Sequence, residues 1–170
     1  MNLCFFRTPW FPEGESDRLL IAPVKDRDAL KACFDLILIP DIALGMEFPP
    51  QLTWRQFEDK YFRSPRKDVF LLMDKASRKL AGFVILWPVQ GKKNWHQILY
   101  GIRPEYRGRG LALEGCQQIL TLMARHRISE GVTAIVNTSN QASEGVVRGL
   151  GMVRMSMSTR CWWERPLSPP

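Results

Sequence analysis

A mixed β-sheet covered by helices, an α/β fold, is what the sequence predicts, and three features predict it. Apolar residues recur at helical spacing in several segments, short β-branched or aromatic runs lie between them, and a glycine-rich turn joins one strand directly to one helix. At 170 residues, with 45% hydrophobic and 24% charged content, the chain suits one domain around one sizeable core. A single domain is expected over 1–170, with residues 1–15 and 165–170 as loose ends.

The elements follow in order. Residues 18–24 read as a largely buried strand. A helix is expected over 26–39, because Leu30, Cys33, Phe34, Ile37 and Leu38 form one apolar stripe, and Pro40 ends it. Residues 41–52, with Gly45, Pro49 and Pro50, read as a loop, after which Thr53 N-caps a short helix carrying Trp54, Phe57 and Tyr61 on one face. Strands at 68–74, 80–87 and 95–102 are joined by short polar turns around Ser77 and Gly91, which suits antiparallel hairpins. The turn 103–110 opens a helix over 111–126 with the stripe Ala112, Cys116, Ile119, Leu120 and Met123. Residues 132–136 form an unbroken apolar run, the pattern of a central strand. A helix over 140–150 is closed by Gly151; Gly145, Gly149, Val146 and Val147 give it poor propensity, so packing must hold it. Residues 152–163 read as one final strand. The order is β-α-α-β-β-β-α-β-α-β.

Composition narrows the function. No apolar run approaches the ~20 residues of a membrane helix, and residues 1–12, with Pro9 and Pro12, do not read as a signal peptide. Cys4, Cys33, Cys116 and Cys161 are far apart and lack metal-ligand spacing, so no metal and reduced thiols in a cytoplasm are expected. The net charge of +7 is compatible with nucleic acid, an anionic membrane or a polyanionic small molecule. No block of five or more basic residues exists, so a phosphate-rich ligand explains the charge as well as nucleic acid does.

The stretch from Tyr100 to Ala112, Tyr-Gly-Ile-Arg-Pro-Glu-Tyr-Arg-Gly-Arg-Gly-Leu-Ala, carries the chemistry. The first turn of any helix has unpaired N–H groups and partial positive charge. Gly108 and Gly110 let those groups approach a ligand, and Arg103, Arg107 and Arg109 add fixed charge, so the turn can cradle a pyrophosphate. A tight turn without a ligand is the competing reading. No Gly-Lys-Ser/Thr follows, which excludes a Walker loop, and Glu130 stands in a turn rather than at a strand end, which counts against a dinucleotide fold.

These residues resemble a known family. Arg107-Gly-Arg-Gly110-Leu-Ala112 is similar to the GNAT acyltransferase signature. Asn140-Gln-Ala-Ser143 followed by Leu150-Gly151-Met152, and the opening Asp17-Arg-Leu-Leu-Ile-Ala-Pro23, resemble the branch that includes ribosomal-protein N-terminal acetyltransferases, as does Glu114. The resemblance spans about residues 16–155. It implies a GNAT fold, a mixed central sheet splayed between its fourth and fifth strands with helices on both faces. It implies that acyl-CoA, most simply acetyl-CoA, lies in that gap. Main chain at Ile102 would pair with the pantetheine, with Arg103 beside it. Amides from Arg107, Gly108, Arg109, Gly110, Leu111 and Ala112 would hold the pyrophosphate, and Asn140 and Ser143 would face the cofactor from the last helix. A primary amine, on a small molecule or a protein N-terminus, would attack the thioester directly, with Ser143 near the leaving sulfur as proton donor or as packing. Neither nucleic acid nor a membrane is implied as a partner, and a homodimer is left open.

The loop 41–50 stands where the family walls its amine site, and there Glu47 and Phe48, beside Asp41 and Met46, suit a cationic acceptor with an apolar portion. Three departures from the pattern bear on catalysis. Val147 replaces the tyrosine many relatives use as acid, Gln97 stands where relatives often carry glutamate, and the last strand leaves no room for a long closing hairpin. They keep open a catalytically silent acyl-CoA-binding domain beside the active N-acetyltransferase. His96 reads as a structural histidine before a catalytic one.

Overall fold

In the computed structural model, residues 13–46, 49, 51–61 and 68–167 are described. The chain forms β1 (Gly14–Glu15), β2 (Leu19–Pro23), α1 (Arg27–Ile37), α2 (Pro40–Gly45), α3 (Trp54–Tyr61), β3 (Asp68–Asp74), β4 (Leu80–Pro88), β5 (Trp95–Ile102), α4 (Leu111–Arg125), β6 (Gly131–Asn137), α5 (Gln141–Gly149), β7 (Val153–Arg154) and β8 (Arg160–Pro166). The strands lie in one sheet in the order β1-β2-β3-β4-β5-β6-β8-β7. Neighbours are antiparallel except β5 and β6, which are parallel.

Strand alternation splits the core between the two faces of the sheet. Val69, Phe83 and Ile85 turn toward α1, α2 and α3, where Leu30, Phe34, Ile37, Ile42 and Phe57 meet them. Phe70, Leu72, Val84 and Leu86 turn the other way and pack with Leu111, Ile119 and Met123 of α4 and Val147 of α5. Helix α1 is started by Asp26, whose carboxylate accepts from the Ala29 N–H at 2.8 Å. Helix α3 starts in a capping box: Thr53 N–H donates to Gln56 Oε1 (2.9 Å), and Gln56 N–H donates to Thr53 Oγ1 (3.3 Å).

The feature that makes a site is the incomplete pairing of β5 with β6. They are in register at Trp95–Gly131, His96–Val132 and Gln97–Thr133 and no further. Beyond Gln97 the strands part and leave a V that opens toward their C-terminal ends. These are the strands expected to splay, the fourth and fifth once the short β1 is set aside. On its other side β6 is paired along its whole length with β8.

Four expectations need correction. Residues 41–52 are not all loop, because Pro40 starts a helix as well as ending one; proline at the first helical position loses no needed hydrogen bond. Residues 152–163 are a hairpin of two strands. Its turn carries no glycine or proline and is made by serine hydroxyls, with the Trp162 N–H donating to Ser156 Oγ at 2.9 Å. The hairpin thought absent is therefore present. The expected loose ends are also shorter, since Gly14–Glu15 pairs with β2 and β8 runs to Pro166, followed by buried Leu167.

Candidate active site

The V is lined on one side by the outer edge of β5. Arg103 N–H bonds back to Ala81 of β4 at 2.9 Å, so the alternate residues Ile102 and Tyr100 aim their main-chain groups away from β4 and into the gap. Extended main chain with unclaimed groups on one edge is what an amide-bearing chain needs to add itself as a strand. The Ile102 carbonyl is partly claimed, because Arg107 Nε donates to it at 3.1 Å.

At the end of β5 a single 3₁₀ turn, Pro104–Tyr106, leads into two residues in the left-handed region, Gly108 (φ 71°) and Gly110 (φ 74°). Gly110 is the N-cap of α4 and supplies no side-chain cap, so the amides of the first turn are uncommitted to any cap. A Cβ at Gly108 would meet no atom within 4 Å, and one at Gly110 would meet only Arg18 Nη2 at 3.7 Å. The cradle is open above its own backbone. Leu111 is buried and can offer only its main chain, while Ala112 is half-buried.

The turn is braced from below. Arg18 of the segment before β2 donates through Nη1 to the Arg109 carbonyl (2.7 Å) and through Nε to Glu114 Oε2 (2.6 Å). Ser16 Oγ and the Arg18 N–H donate to the same carboxylate at 2.6 and 2.9 Å. Burial works against the Glu114 charge, but these donors and the Arg18 guanidinium outweigh it and hold the carboxyl below its ordinary pKa. On the far side, Asp74 accepts from the Ser77 hydroxyl and N–H at 2.7 and 2.8 Å, which holds its carboxyl low, and Arg109 Nη2 lies 3.5 Å from it. Tyr106 is hydrogen-bonded to Ser77 Oγ at 2.9 Å and lies under the Arg109 guanidinium, 5.6 Å from ring centre to Cζ.

The three arginines of the motif differ in how they point. Arg109 stays at the turn. Arg107 reaches to Asp41 of α2 (3.0 Å), and Arg103 folds back toward Glu105 (3.0 Å). Their charge surrounds the cradle, but the uncommitted donors are main-chain amides.

Across the gap, Asn140 caps α5, its Oδ1 accepting from the Ser143 N–H at 3.0 Å. The cradle follows β5 and the α5 cap follows β6, so the two stand at the ends of the strands that bound the V. The half-buried Ser143 hydroxyl makes no hydrogen bond among the described residues, while its carbonyl accepts from Tyr100 OH at 3.2 Å. Tyr100 therefore spans from β5 to α5, and burial pushes its phenol pKa up. Helix α2 lies over the same opening: Ile42 is close to Gly101 of β5, and Gly45 is beside the Asn140 amide.

Glu47 and Phe48 lie outside the described residues. His96 is in the paired part of β5, with Nδ1 2.9 Å from Ser129 Oγ, and burial lowers its pKa. Among the described residues no His, Cys, Asp or Glu group could hold a metal ion. Cys33, Cys116 and Cys161 are buried and unpaired, and burial pushes the first two thiols well up. Sequence reasoning missed Arg18 and Tyr100 as parts of the site. Arg18 stood in the opening motif, but nothing in the sequence pointed it at Arg109; Tyr100 opened the stretch that carries the chemistry, with no role given to its phenol.

Among known proteins, a model described as an acetyltransferase (GNAT) domain matches residues 18–153. The chain belongs to the GNAT acetyltransferase family. Its fold is similar to that of RimL, a ribosomal-protein alpha-N-protein acetyltransferase solved with coenzyme A (TM-score 0.75, 16% identity, 91% of this chain and 97% of that one). It is equally similar to spermidine N-acetyltransferase from Vibrio cholerae, solved with CoA and spermine (TM-score 0.75, 15% identity, 91% and 98%). A ribosomal-protein-alanine acetyltransferase from Vibrio fischeri gives TM-score 0.72 at 13% identity, over 92% and 97% of the two chains. At such identities the likeness speaks for the fold. No curated protein sequence matches the chain. Among the described residues no helix is long and apolar enough to cross a membrane.

Proposed function

We propose that this GNAT domain is an acetyl-CoA-dependent N-acetyltransferase acting on a primary amine. The observation that carries the reading is the pairing of an open, uncapped α4 N-terminus with an unpaired β5 edge running straight into it. A pyrophosphate fits the first and a pantetheine chain the second, and coenzyme A carries the two in line. The residues that would hold the co-substrate are the amides from Arg107 to Ala112, with Ile102 and Asn140 along the arm. RimL and the spermidine enzyme, both solved with CoA, lend the reading support from related folds.

In the reaction the neutral amine attacks the thioester carbon. The C–N bond forms, the C–S bond breaks, and the sulfur leaves with the electron pair. One proton leaves the ammonium before attack, and the second passes from the new amide nitrogen as the thiolate is protonated. Ser143, whose hydroxyl makes no hydrogen bond among the described residues, is a group on α5 that can give or relay that proton. The test is thiol release from acetyl-CoA across a panel of primary amines. Saturable, amine-dependent release supports the reading, and acetyl-CoA binding without release to any amine favours a sensor domain instead.

A further inference from the structure

We infer that the groove between α4 and the end of β8 binds an organic carboxylate carried on an apolar chain, at a site separate from the V. A cavity of about 350 Å³ lies there, lined by α4 from Gln117 to Arg125 on one side and by Arg165, Pro166 and Leu167 on the other. That is within the size of small-molecule sites, about 300–1,000 Å³. Gln117, Thr121 and Arg125 recur every fourth residue, so one face of α4 presents all three to the groove.

The place is distinct from the cofactor cradle. Arg165 pairs with Val132 and Pro166 with Gly131, in the part of the sheet where β5 and β6 are still joined. Thr121 stands ten residues after Leu111 at the start of α4. At about 1.5 Å per residue that is roughly 15 Å along the helix.

Two guanidiniums set the charge. Arg125 has no hydrogen bond, ion pair or ring contact among the described residues. Arg165 donates one N–H to the Leu150 carbonyl at 2.6 Å, a neutral partner that leaves its charge uncompensated. None of the lining residues is Asp or Glu. Ser168, Pro169 and Pro170, next in sequence, bring no acidic side chain. Glu130, whose carbonyl accepts from the Leu167 N–H at 2.9 Å, has its carboxylate on the Asn94 amide at 3.1 Å.

The rest of the lining is apolar: buried Leu120 and Leu167, with Ala124 and Pro166. A guanidinium fork matches the two oxygens of a carboxylate, and these side chains match hydrocarbon. A bare inorganic anion would leave the apolar part unused. A neutral hydrocarbon would draw water from two charges and give them no partner. A carboxylate with an apolar chain satisfies both halves.

The probe is octanoate, followed by ligand-observed NMR as the protein is titrated, with and without saturating CoA. Saturable binding at one site is expected, with equal affinity in the two conditions. Acetate and 1-octanol each lack one half of the probe and should bind at least about tenfold more weakly. Arg125→Met keeps the aliphatic stem, loses the charge and should weaken octanoate about tenfold. Thr121→Trp fills the groove from an exposed helix position and should abolish binding. Arg165 is left in place because it also holds the end of α5. Arg125 is exposed, so Arg125→Met should melt with the wild type, and it decides the matter even if Thr121→Trp fails to fold. The inference is overturned if octanoate does not saturate, if CoA displaces it, if acetate or 1-octanol binds as tightly, or if Arg125→Met binds it as the wild type does. None of these readouts needs acyl transfer, so absent thiol release would leave this inference standing.

Discussion

Arg18 ties the start of β2 to the cofactor turn: one guanidinium reaches Glu114 at 2.6 Å and the Arg109 carbonyl at 2.7 Å. The contact fixes the main chain between the two left-handed glycines from outside the motif, 91 residues away in sequence. Arg18→Met keeps the aliphatic stem and loses both bonds. The pair is partly exposed, so the loss should be about 1 kcal/mol, a roughly fivefold weaker Kd for acetyl-CoA. Isothermal titration of the two proteins checks it. Equal affinities would leave Arg18 a surface brace only.

The cradle itself predicts a sharper effect. Gly110 holds φ 74° at the N-cap of α4, which a β-branched residue adopts only with strain, so a valine there would shift the backbone that presents the first-turn amides. Acetyl-CoA at about 100 times Kd should stabilise the wild type by about 2.7 kcal/mol. Gly110→Val should show little or no such rise in melting temperature. A full ligand response in this variant would place the pyrophosphate elsewhere.

Ser143 should matter for turnover and not for cofactor binding. Its N–H, not its hydroxyl, is what Asn140 uses in capping α5. Ser143→Ala therefore keeps the cap and removes only the hydroxyl, which has no partner among the described residues. Because CoA is a fairly good leaving group, the expected loss in kcat is about 10- to 100-fold. Wild-type turnover in the variant would assign thiolate protonation to solvent.

Much of this was legible in the residues, for reasons that can be named. The glycine pair, the arginines and the helix stripe around Cys116 and Ile119 are local patterns, and local patterns survive translation into structure. The parting of β5 and β6 was inferred only through family resemblance, since nothing in residues 98–102 or 134–137 forbids pairing. What failed was context-dependent. Pro40 can end one helix and begin the next, and only the fold selects both. The turn at Ser156–Ser158 is held by side-chain bonds to Arg160 and Trp162 that no spacing announces. Tyr100 joins α5 through a carbonyl, and every residue has one.

Thr133 offers a stability prediction at the point where the V begins. It is 0% exposed, and its Oγ1 has no partner among the described residues. A buried hydroxyl without a partner costs about 1 kcal/mol or more, and valine has nearly the same shape. Thr133→Val should raise the melting temperature by about 2–4 °C. A lower value would mean that the hydroxyl is satisfied in solution.

His96 gives the fold a pH dependence whose sign can be worked out. Burial lowers its pKa from 6.5 in the folded state, while the unfolded chain keeps the ordinary value. Below about pH 6.5 the unfolded state therefore binds the proton more readily than the folded one. The stability that neutral His96 contributes is present above that pH and is lost as pH falls toward the folded pKa. The His96 ring is also hydrogen-bonded to Ser129, whose hydroxyl lies 2.7 Å from the Asn94 carbonyl and 2.8 Å from that of Gly131, so the burial that disfavours a charged ring lies at the junction of β5 and β6. Melting temperatures measured from about pH 7.5 down to about pH 5.5 should fall in the wild type. His96→Gln keeps a polar group facing Ser129 and cannot be protonated, so its curve should be flatter over the same range. Parallel curves for the two proteins would show that His96 does not set this dependence.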